Sequence, residues 1–304
     1  MSERYPDVRV QFDGNDVAIP NGLILRFFMH RSHQEIAPAV ARALDVYTQA
    51  IRPGTLAWYP DSEGDWQRLD AIAWERTRRG MLESPSFFVT LIDRPDAAVK
   101  FQFDYGGISL EVPGLLDDPR RTCIATFSLP VEFLEQRGPG HVRELALQLA
   151  TCLPFHSGYA SLCFDMFCPL ADVARQLYKL CFRYPGMDML DYRVSWDIGT
   201  RVPGAYWLTF LSNPVLGELG GVDGLRARLT SPGTTVQALD GERAVVTLGQ
   251  WPEAGDLEAG KDLPAYRALA RVLEPWLYHC DPQAFVHYDF SSADRLRWER
   301  RFLD

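Results

Sequence analysis

Two short acidic loops hold the densest set of reactive side chains in the chain. Tyr59-Pro-Asp61-Ser-Glu63-Gly-Asp65-Trp66 and Trp251-Pro-Glu253-Ala-Gly-Asp256-Leu-Glu258 each place three carboxylates beside a tryptophan, among Pro and Gly turn residues. Calcium needs oxygen ligands at the fixed positions of a longer loop, and neither segment has that spacing. A solvated loop accounts for either segment. So does an interface, in which the carboxylates meet a basic groove and the tryptophan supplies an apolar anchor. On the interface reading the candidate partner-binding residues are Asp61, Glu63, Asp65 and Trp66, with Trp251, Glu253, Asp256 and Glu258.

Catalytic signatures are absent from the sequence. It contains no G-x-S-x-G elbow, no G-x-x-x-x-G-K-[ST] phosphate loop, no H-E-x-x-H and no EF-hand loop. Gly138-Pro-Gly140 has proline where an anion site would use an amide donor, so it reads as a helix break. His156-Ser157 could form a nucleophile and base, but only with the right geometry and an orienting acid. His279-Cys280-Asp281 follows a long helical stretch, and a hydrolase could also be built there. His30 and His33 have no evident third ligand and suit a turn and helix start. His141 opens a helix, and His287 sits in an aromatic stretch. The six cysteines (123, 152, 163, 168, 181 and 280) form no C-x-x-C pair and lie mostly in apolar surroundings, as reduced buried thiols do. The residues therefore point to no catalytic group, no metal and no cofactor.

Charge narrows the partners. The net charge is −9 and the isoelectric point about 5.2. Such a surface repels phosphates and anionic headgroups, which disfavours direct binding to nucleic acid or membrane and favours a basic protein partner. The tryptophans and tyrosines are not interleaved with basic residues as in a single-strand binder. They read as core, with an exposed subset available as interface anchors. No run of 18 apolar residues is present, and the N-terminal residues lack the basic and apolar regions of a secretion signal. A cytoplasmic location is expected.

The 304 residues, 47% hydrophobic, suffice for one large core. Gly22–Met29 reads as a strand. Ile36, Val40, Leu44, Tyr47 and Ile51 recur at spacings of three and four and predict a helix over 34–51. A second helix is expected over 66–79, ending at Gly80. Strands follow at 86–92, 99–105 and 108–112, with Gly106-Gly107 as a hairpin turn. Beyond them the element order recurs. Strand 123–129, helices 130–136 and 142–153, strand 159–164 and helix 170–182 are echoed by strand 206–211, helices 214–219 and 225–229, hairpin 235–239/244–248 and helix 264–277. The expected fold class is α+β, with mixed or antiparallel sheets and packed helices, and with two pseudo-repeated halves as one possibility. The chain reads as one domain, 1–304, with sub-structure at 1–118, 119–195 and 196–304.

Several segments in this order resemble the motifs of the type VI immunity family. They are Ser157-Gly158-Tyr159-Ala160, Tyr184-Pro185-Gly186-Met187-Asp188, Gly204-Ala-Tyr206-Trp207-Leu208-Thr209-Phe210-Leu211-Ser212-Asn213-Pro214 with Leu219-Gly220-Gly221, and Leu248-Gly249-Gln250-Trp251-Pro252 with Gly255-Asp256. The resemblance spans about 120–280. It implies an antitoxin encoded beside an antibacterial type VI secretion effector, in some relatives a nuclease with a virus-type replication-repair nuclease domain. The expected partner is that effector, bound so that its active site or nucleic-acid groove is covered. The family supplies no catalytic residues. The motif residues read as fold determinants. Trp207 and Phe210 are expected on opposite strand faces, and Gly220-Gly221 at a sharp turn. An enzyme with an unrecognised site and an adaptor of the secretion apparatus are the competing expectations.

Overall fold

In the computed structural model, residues 4–95, 99–110, 120–164, 171–188, 197–279 and 291–304 are described. The chain begins with a hairpin of β1 (Val8–Phe12) and β2 (Asn15–Ile19). Asp13 and Gly14, both at positive φ, form its two-residue turn. β3 (Asn21–Met29) follows, and all but its first residue are buried. α1 (His33–Ile51) buries Ile36, Val40, Leu44, Tyr47 and Ile51, the stripe its spacing predicts. β4 (Trp58–Pro60) and β5 (Trp66–Arg68) form a short hairpin, and α2 (Ala71–Glu83) leads to β6 (Phe87–Ile92) and β7 (Gln102–Gly107).

The middle of the chain supplies β8 (Cys123–Pro130), α3 (Val131–Arg137), α4 (Pro139–Cys152), β9 (Ser157–Phe164), α5 (Ala171–Arg183) and the two-residue β10 (Met187–Asp188). Then come β11 (Leu208–Ser212), α6 (Val215–Glu218), α7 (Gly221–Arg228), β12 (Thr234–Ala238) and β13 (Arg243–Leu248). α8 (Pro264–Leu273) runs into a 3-10 turn, Glu274–Trp276, and α9 (Ser292–Glu299) lies near the C-terminus. The fold is α+β. One large sheet has the strand order β12-β13-β11-β9-β3-β8-β7-β6-β4-β5, antiparallel throughout, while β10 pairs in parallel with β9.

The two faces of this sheet differ. One carries Leu23, Leu25, Phe27 and Met29 of β3 with Ala125, Phe127 and Leu129 of β8, and it belongs to the main core with α1 and α4. The other holds a small separate cluster of Ile24, Phe28, Ile124, Tyr159, Cys163, Ile198, Tyr206 and Tyr278. A row of residues in direct register crosses that second face: Thr209, Tyr159, Arg26, Thr126, Asp104 and Thr90.

Five expectations need correction. The segment from Trp66 does not start a helix. It pairs with Trp58–Pro60, and Asp70 caps α2 by accepting the Ala73 N–H at 2.8 Å. Gly80 lies inside α2, where a Cβ would stand 2.8 Å from the Phe87 ring, so it permits close helix–strand approach and ends nothing. Gly106 and Gly107 complete β7, and Gly107 does so for a similar reason, since a Cβ there would meet His33 Nδ1 at 2.4 Å. Ile108 and Leu110 are used to tie down the start of α1, through the Ile108 carbonyl and the Leu110 N–H, so no strand runs there among the described residues. Trp207 precedes β11 in a bend, and it therefore joins Phe210 in the same core instead of facing away from it.

The proposed repeat recurs in element order but not in topology. β8 and β9 are both antiparallel to β3, which lies between them, so they run parallel to each other. Their counterparts β11 and β13 are adjacent and antiparallel. Gly220 and Gly221, both at positive φ, do make the expected sharp turn.

Close approach of β9 and β3 gives a stability prediction. A Cβ on Gly158 would lie 2.9 Å from the Arg26 carbonyl oxygen and 2.7 Å from the Phe27 ring, whereas Gly140 in α4 has nothing within 4 Å. Gly158→Ala is expected to cost about 2–4 kcal/mol through overpacking. Gly140→Ala is expected to be neutral or to gain up to about 1 kcal/mol. Urea unfolding of both variants checks this, and equal midpoints would contradict it.

Candidate functional site

The first acidic loop is the tip of the β4–β5 hairpin at one edge of the sheet. Asp61 folds it. Its carboxylate accepts the Glu63 and Asp65 backbone N–H groups at 3.0 and 2.9 Å and the Gln67 side-chain amide at 2.8 Å. The Gln67 amide, then these backbone donors, hold the Asp61 carboxyl below its usual pKa. Glu63 and Asp65 are thereby pushed outward and are exposed, while Trp66 is half-buried at the start of β5. Within this loop the sequence-predicted residues divide into one turn-former and two outward carboxylates beside an indole.

The second acidic loop serves mainly as an internal clasp. The Arg183 guanidinium donates to both Asp256 carboxylate oxygens at 2.9 Å and pairs with Glu258 at 2.8 Å. That contact lowers the Asp256 pKa. The Gly186 N–H donates to the Ala254 carbonyl, and a Cβ on Gly186 would stand 2.0 Å from the Glu253 carbonyl oxygen. The segments Tyr184–Asp188 and Gly249–Asp256 are thus two sides of one contact. Trp251 is half-buried under the Arg4 guanidinium, 4.2 Å from its ring, and Glu253 has an exposed side chain. The strands that lead into the two acidic loops, β13 and β4, are seven steps apart in the sheet, roughly 34 Å at 4.8 Å per strand.

The candidate nucleophile and base at 156–157 do not meet. Ser157 Oγ is buried and donates to the Arg201 carbonyl at 2.8 Å. His156 Nδ1 accepts the His30 N–H at 3.2 Å. Burial, then the neighbouring His30 and Arg31, drive the His156 pKa down to about 4, so the ring is neutral at pH 7. His279 Nδ1 faces a Glu299 carboxylate oxygen at 3.1 Å. Its sequence neighbours Cys280 and Asp281 lie outside the described residues, as do Cys168, Trp196 and His287. Among the described residues no group of three His, Cys, Asp or Glu side chains is placed to hold a metal ion, and Cys123, Cys152 and Cys181 are free thiols.

The structure adds a feature that motif reading missed. Beside the first acidic hairpin, the second face of the sheet opens into a cleft of about 590 Å³. Arg26, Thr126, Asp104 and Thr90 form its floor. Tyr59, Pro60 and Asp61 line one side, Arg76, Thr77 and Gly80 of α2 another, and Phe88 of β6 stands at its border, 59% exposed. Arg26 is buried and donates through Nε to Thr126 Oγ1 at 3.1 Å. Asp104 accepts from Thr90 Oγ1 at 2.7 Å and from Gln102 Nε2 at 2.6 Å. Both donors are neutral, and among the described residues Asp104 has no ion-pair partner. Two signals pointed this way. Arg26 is the lone charge in an apolar strand, and Asp104 lies on the polar side of the alternating segment Lys100-Phe-Gln-Phe-Asp-Tyr.

Residues 39–302 match the family TsiV, described as type VI immunity for VRR-NUC. No curated protein matches the chain. Among solved structures, the Pseudomonas aeruginosa T6SS protein PA0821 is similar, with a TM-score of 0.74 and 19% sequence identity over 94% of this chain and 82% of that one. At that identity the likeness is one of fold.

Desolvation on the cleft floor lifts the Asp104 carboxyl from 3.8 to about 6, against the opposing pull of Thr90, Gln102 and Arg26. A folded-state pKa above the unfolded value means that the neutral form is favoured. The stability this group contributes is fully present below about pH 3.8 and is lost as pH rises through about 6. Asp104→Asn should therefore stabilise the protein at pH 8 by on the order of 2 kcal/mol, with the gain gone by pH 4. Thermal unfolding of both proteins across that range measures it. A pH-independent difference would contradict the assignment.

Proposed function

The chain belongs to the type VI immunity family for VRR-NUC, and from that premise we propose that it binds a VRR-NUC effector in the cytoplasm and covers its nucleic-acid surface. The family match over 39–302 carries this reading. The net charge of −9 supports it, because a nuclease groove must attract phosphate and a basic groove attracts this chain in turn. Nothing in the mechanism requires turnover. One inhibitor blocks one effector for as long as the complex lasts.

The β4–β5 hairpin is the better of the two acidic loops for contacting the effector. Glu63 and Asp65 point outward on a turn whose backbone Asp61 holds, so little loop entropy remains to be lost on binding. Trp66 adds an indole at the base of the same hairpin. In the second loop Asp256 and Glu258 are already paired with Arg183, which leaves Glu253 and the partly covered Trp251 for a partner. A stable interface of about 800 Å² on each partner is about 30 Å across, so the two loops cannot both lie at its centre.

The test is co-purification with the VRR-NUC effector encoded beside this chain, in cells that the effector alone kills. A stable complex, restored growth and a nuclease titration ending at one inhibitor per effector are expected. No complex and no protection, or protection against a large molar excess of effector, would overturn the reading. With a complex in hand, Glu63→Lys with Asp65→Lys should slow association at low salt by about tenfold and leave the fold intact. An unchanged rate would remove the hairpin from the encounter surface.

A further inference from the structure

We propose that the cleft beside the acidic hairpin is the receptor for a basic side chain of the effector, with Asp104 as its counter-charge and Phe88 as the apolar contact next to it. This rests on the immunity reading and specifies where and by what chemistry the effector is held.

The geometry selects a cation. The floor carries two charged groups, and they are not in the same position. Arg26 is buried and already bonded to Thr126, with interactions beyond that one. Asp104 accepts hydrogen bonds from the neutral hydroxyl of Thr90 and the neutral amide of Gln102, and Arg26 attracts it without an ion pair between them among the described residues. The negative charge is thus the one left to be matched from outside. Each Asp104 oxygen uses one lone-pair direction on these donors and keeps another, so a guanidinium or ammonium group can bond to it without displacing them. Arg76 on the α2 wall opposes a cation, but its side chain is exposed and can turn into solvent.

The walls suit the same guest. The aromatic ring of Phe88 stands at the opening, and a planar guanidinium binds to aromatic faces as well as to carboxylates. Phe88 is 59% exposed and Ile72, one turn before Arg76 on α2, is 71% exposed. Large apolar side chains around a partly desolvated charge are the arrangement found at interface hot spots, where the surrounding contacts exclude water. The outward carboxylates of Glu63 and Asp65 lie on the adjoining hairpin, so a basic groove drawn to them arrives at the mouth of the cleft.

Asp104 is also costly in the unbound protein, since burial disfavours its charged form. A basic guest removes that cost by supplying the missing ion-pair partner. The cleft then trades stability of the free protein for affinity in the complex.

The experiment uses the full chain and the catalytically inactivated VRR-NUC domain of the neighbouring effector, with affinities measured by calorimetry. Asp104→Asn keeps the shape and both hydrogen-bonding neighbours, and Phe88→Ala alters an exposed side chain, so neither should impair folding. Each is expected to weaken binding at least tenfold, while Leu296→Ala, exposed on α9, binds as the wild type does. Arg→Ala and Lys→Ala variants of the effector then identify the guest. At least one should weaken binding to the wild type more than tenfold and binding to Asp104→Asn by no more than twofold. If the wild type binds but both cleft variants bind within twofold of it, or if no basic residue of the effector is coupled to Asp104, the cleft proposal is wrong and the immunity reading stands. If the wild type binds no effector at all, both fall.

Discussion

Burial of β3 on both faces is the constraint around which the rest of the fold is arranged. Eight of its nine residues are buried, and it sits between β8 and β9 at the middle of the sheet. A strand enclosed on both sides needs a layer above and a layer below. The chain meets the two needs with different chemistry. On one face Leu23, Leu25 and Phe27 enter a continuous hydrocarbon core roofed by α1 and α4. On the other, Ile24 and Phe28 join a small aromatic cluster, and between them Arg26 must find polar company. It does so along its own row, with Thr126 on one side and Tyr159 on the other. A buried guanidinium without such partners would cost several kcal/mol, so the polar row follows from the placement of one arginine.

The same need explains why the family motifs lie where they do. Tyr159 stacks on Tyr206 at 3.9 Å between ring centroids and donates its hydroxyl to Asp188 at 2.6 Å. Ser161 Oγ donates to the Gly186 carbonyl, and Arg301 Nε donates to the Pro185 carbonyl. Trp207 Nε1 reaches the Gly249 carbonyl. Segments far apart in sequence are thus held together, with Tyr159 and Tyr206 on the second face beside Arg26 and Trp207 in the main core. Residues this deeply engaged are poor candidates for contacts with an effector. A partner can read only what is left outside, and among the described residues the outward hairpin and the open end of the polar row are uncovered parts of this face.

How much of this was legible in the sequence depended on the period of each element. α1 was readable because five large apolar residues repeat at helical spacing over nineteen residues. The β12–β13 hairpin was readable because Asp240-Gly241 separates two strand-like runs. Trp66–Arg68 was not, since three residues fit either period and the deciding fact is pairing with Trp58–Pro60. The glycines at 80 and 107 mislead because turn chemistry and close approach both favour glycine, and only the neighbours, Phe87 and His33, tell them apart. The Asp13-Gly14 turn is a strong local signal that went unused, because the strands it joins are short and polar in places. In the acidic loops the sequence gives charge but not direction. Asp61 and Asp256 look alike there, yet one folds a turn and the other binds an arginine 73 residues away.

The cleft shows why a binding site can leave so faint a trace in sequence. Its floor is assembled from β3, β8, β7 and β6, one side chain from each, at positions spread from Arg26 to Thr126. No spacing rule links them. Strand register alone brings them together, and register is set by the hydrophobic face on the opposite side of the sheet. A change in the main core that shifted β7 by one residue would turn Asp104 into that core and Phe103 into the cleft. The oil-filled face therefore holds the polar face in place, and the chain must keep the first in order to present the second.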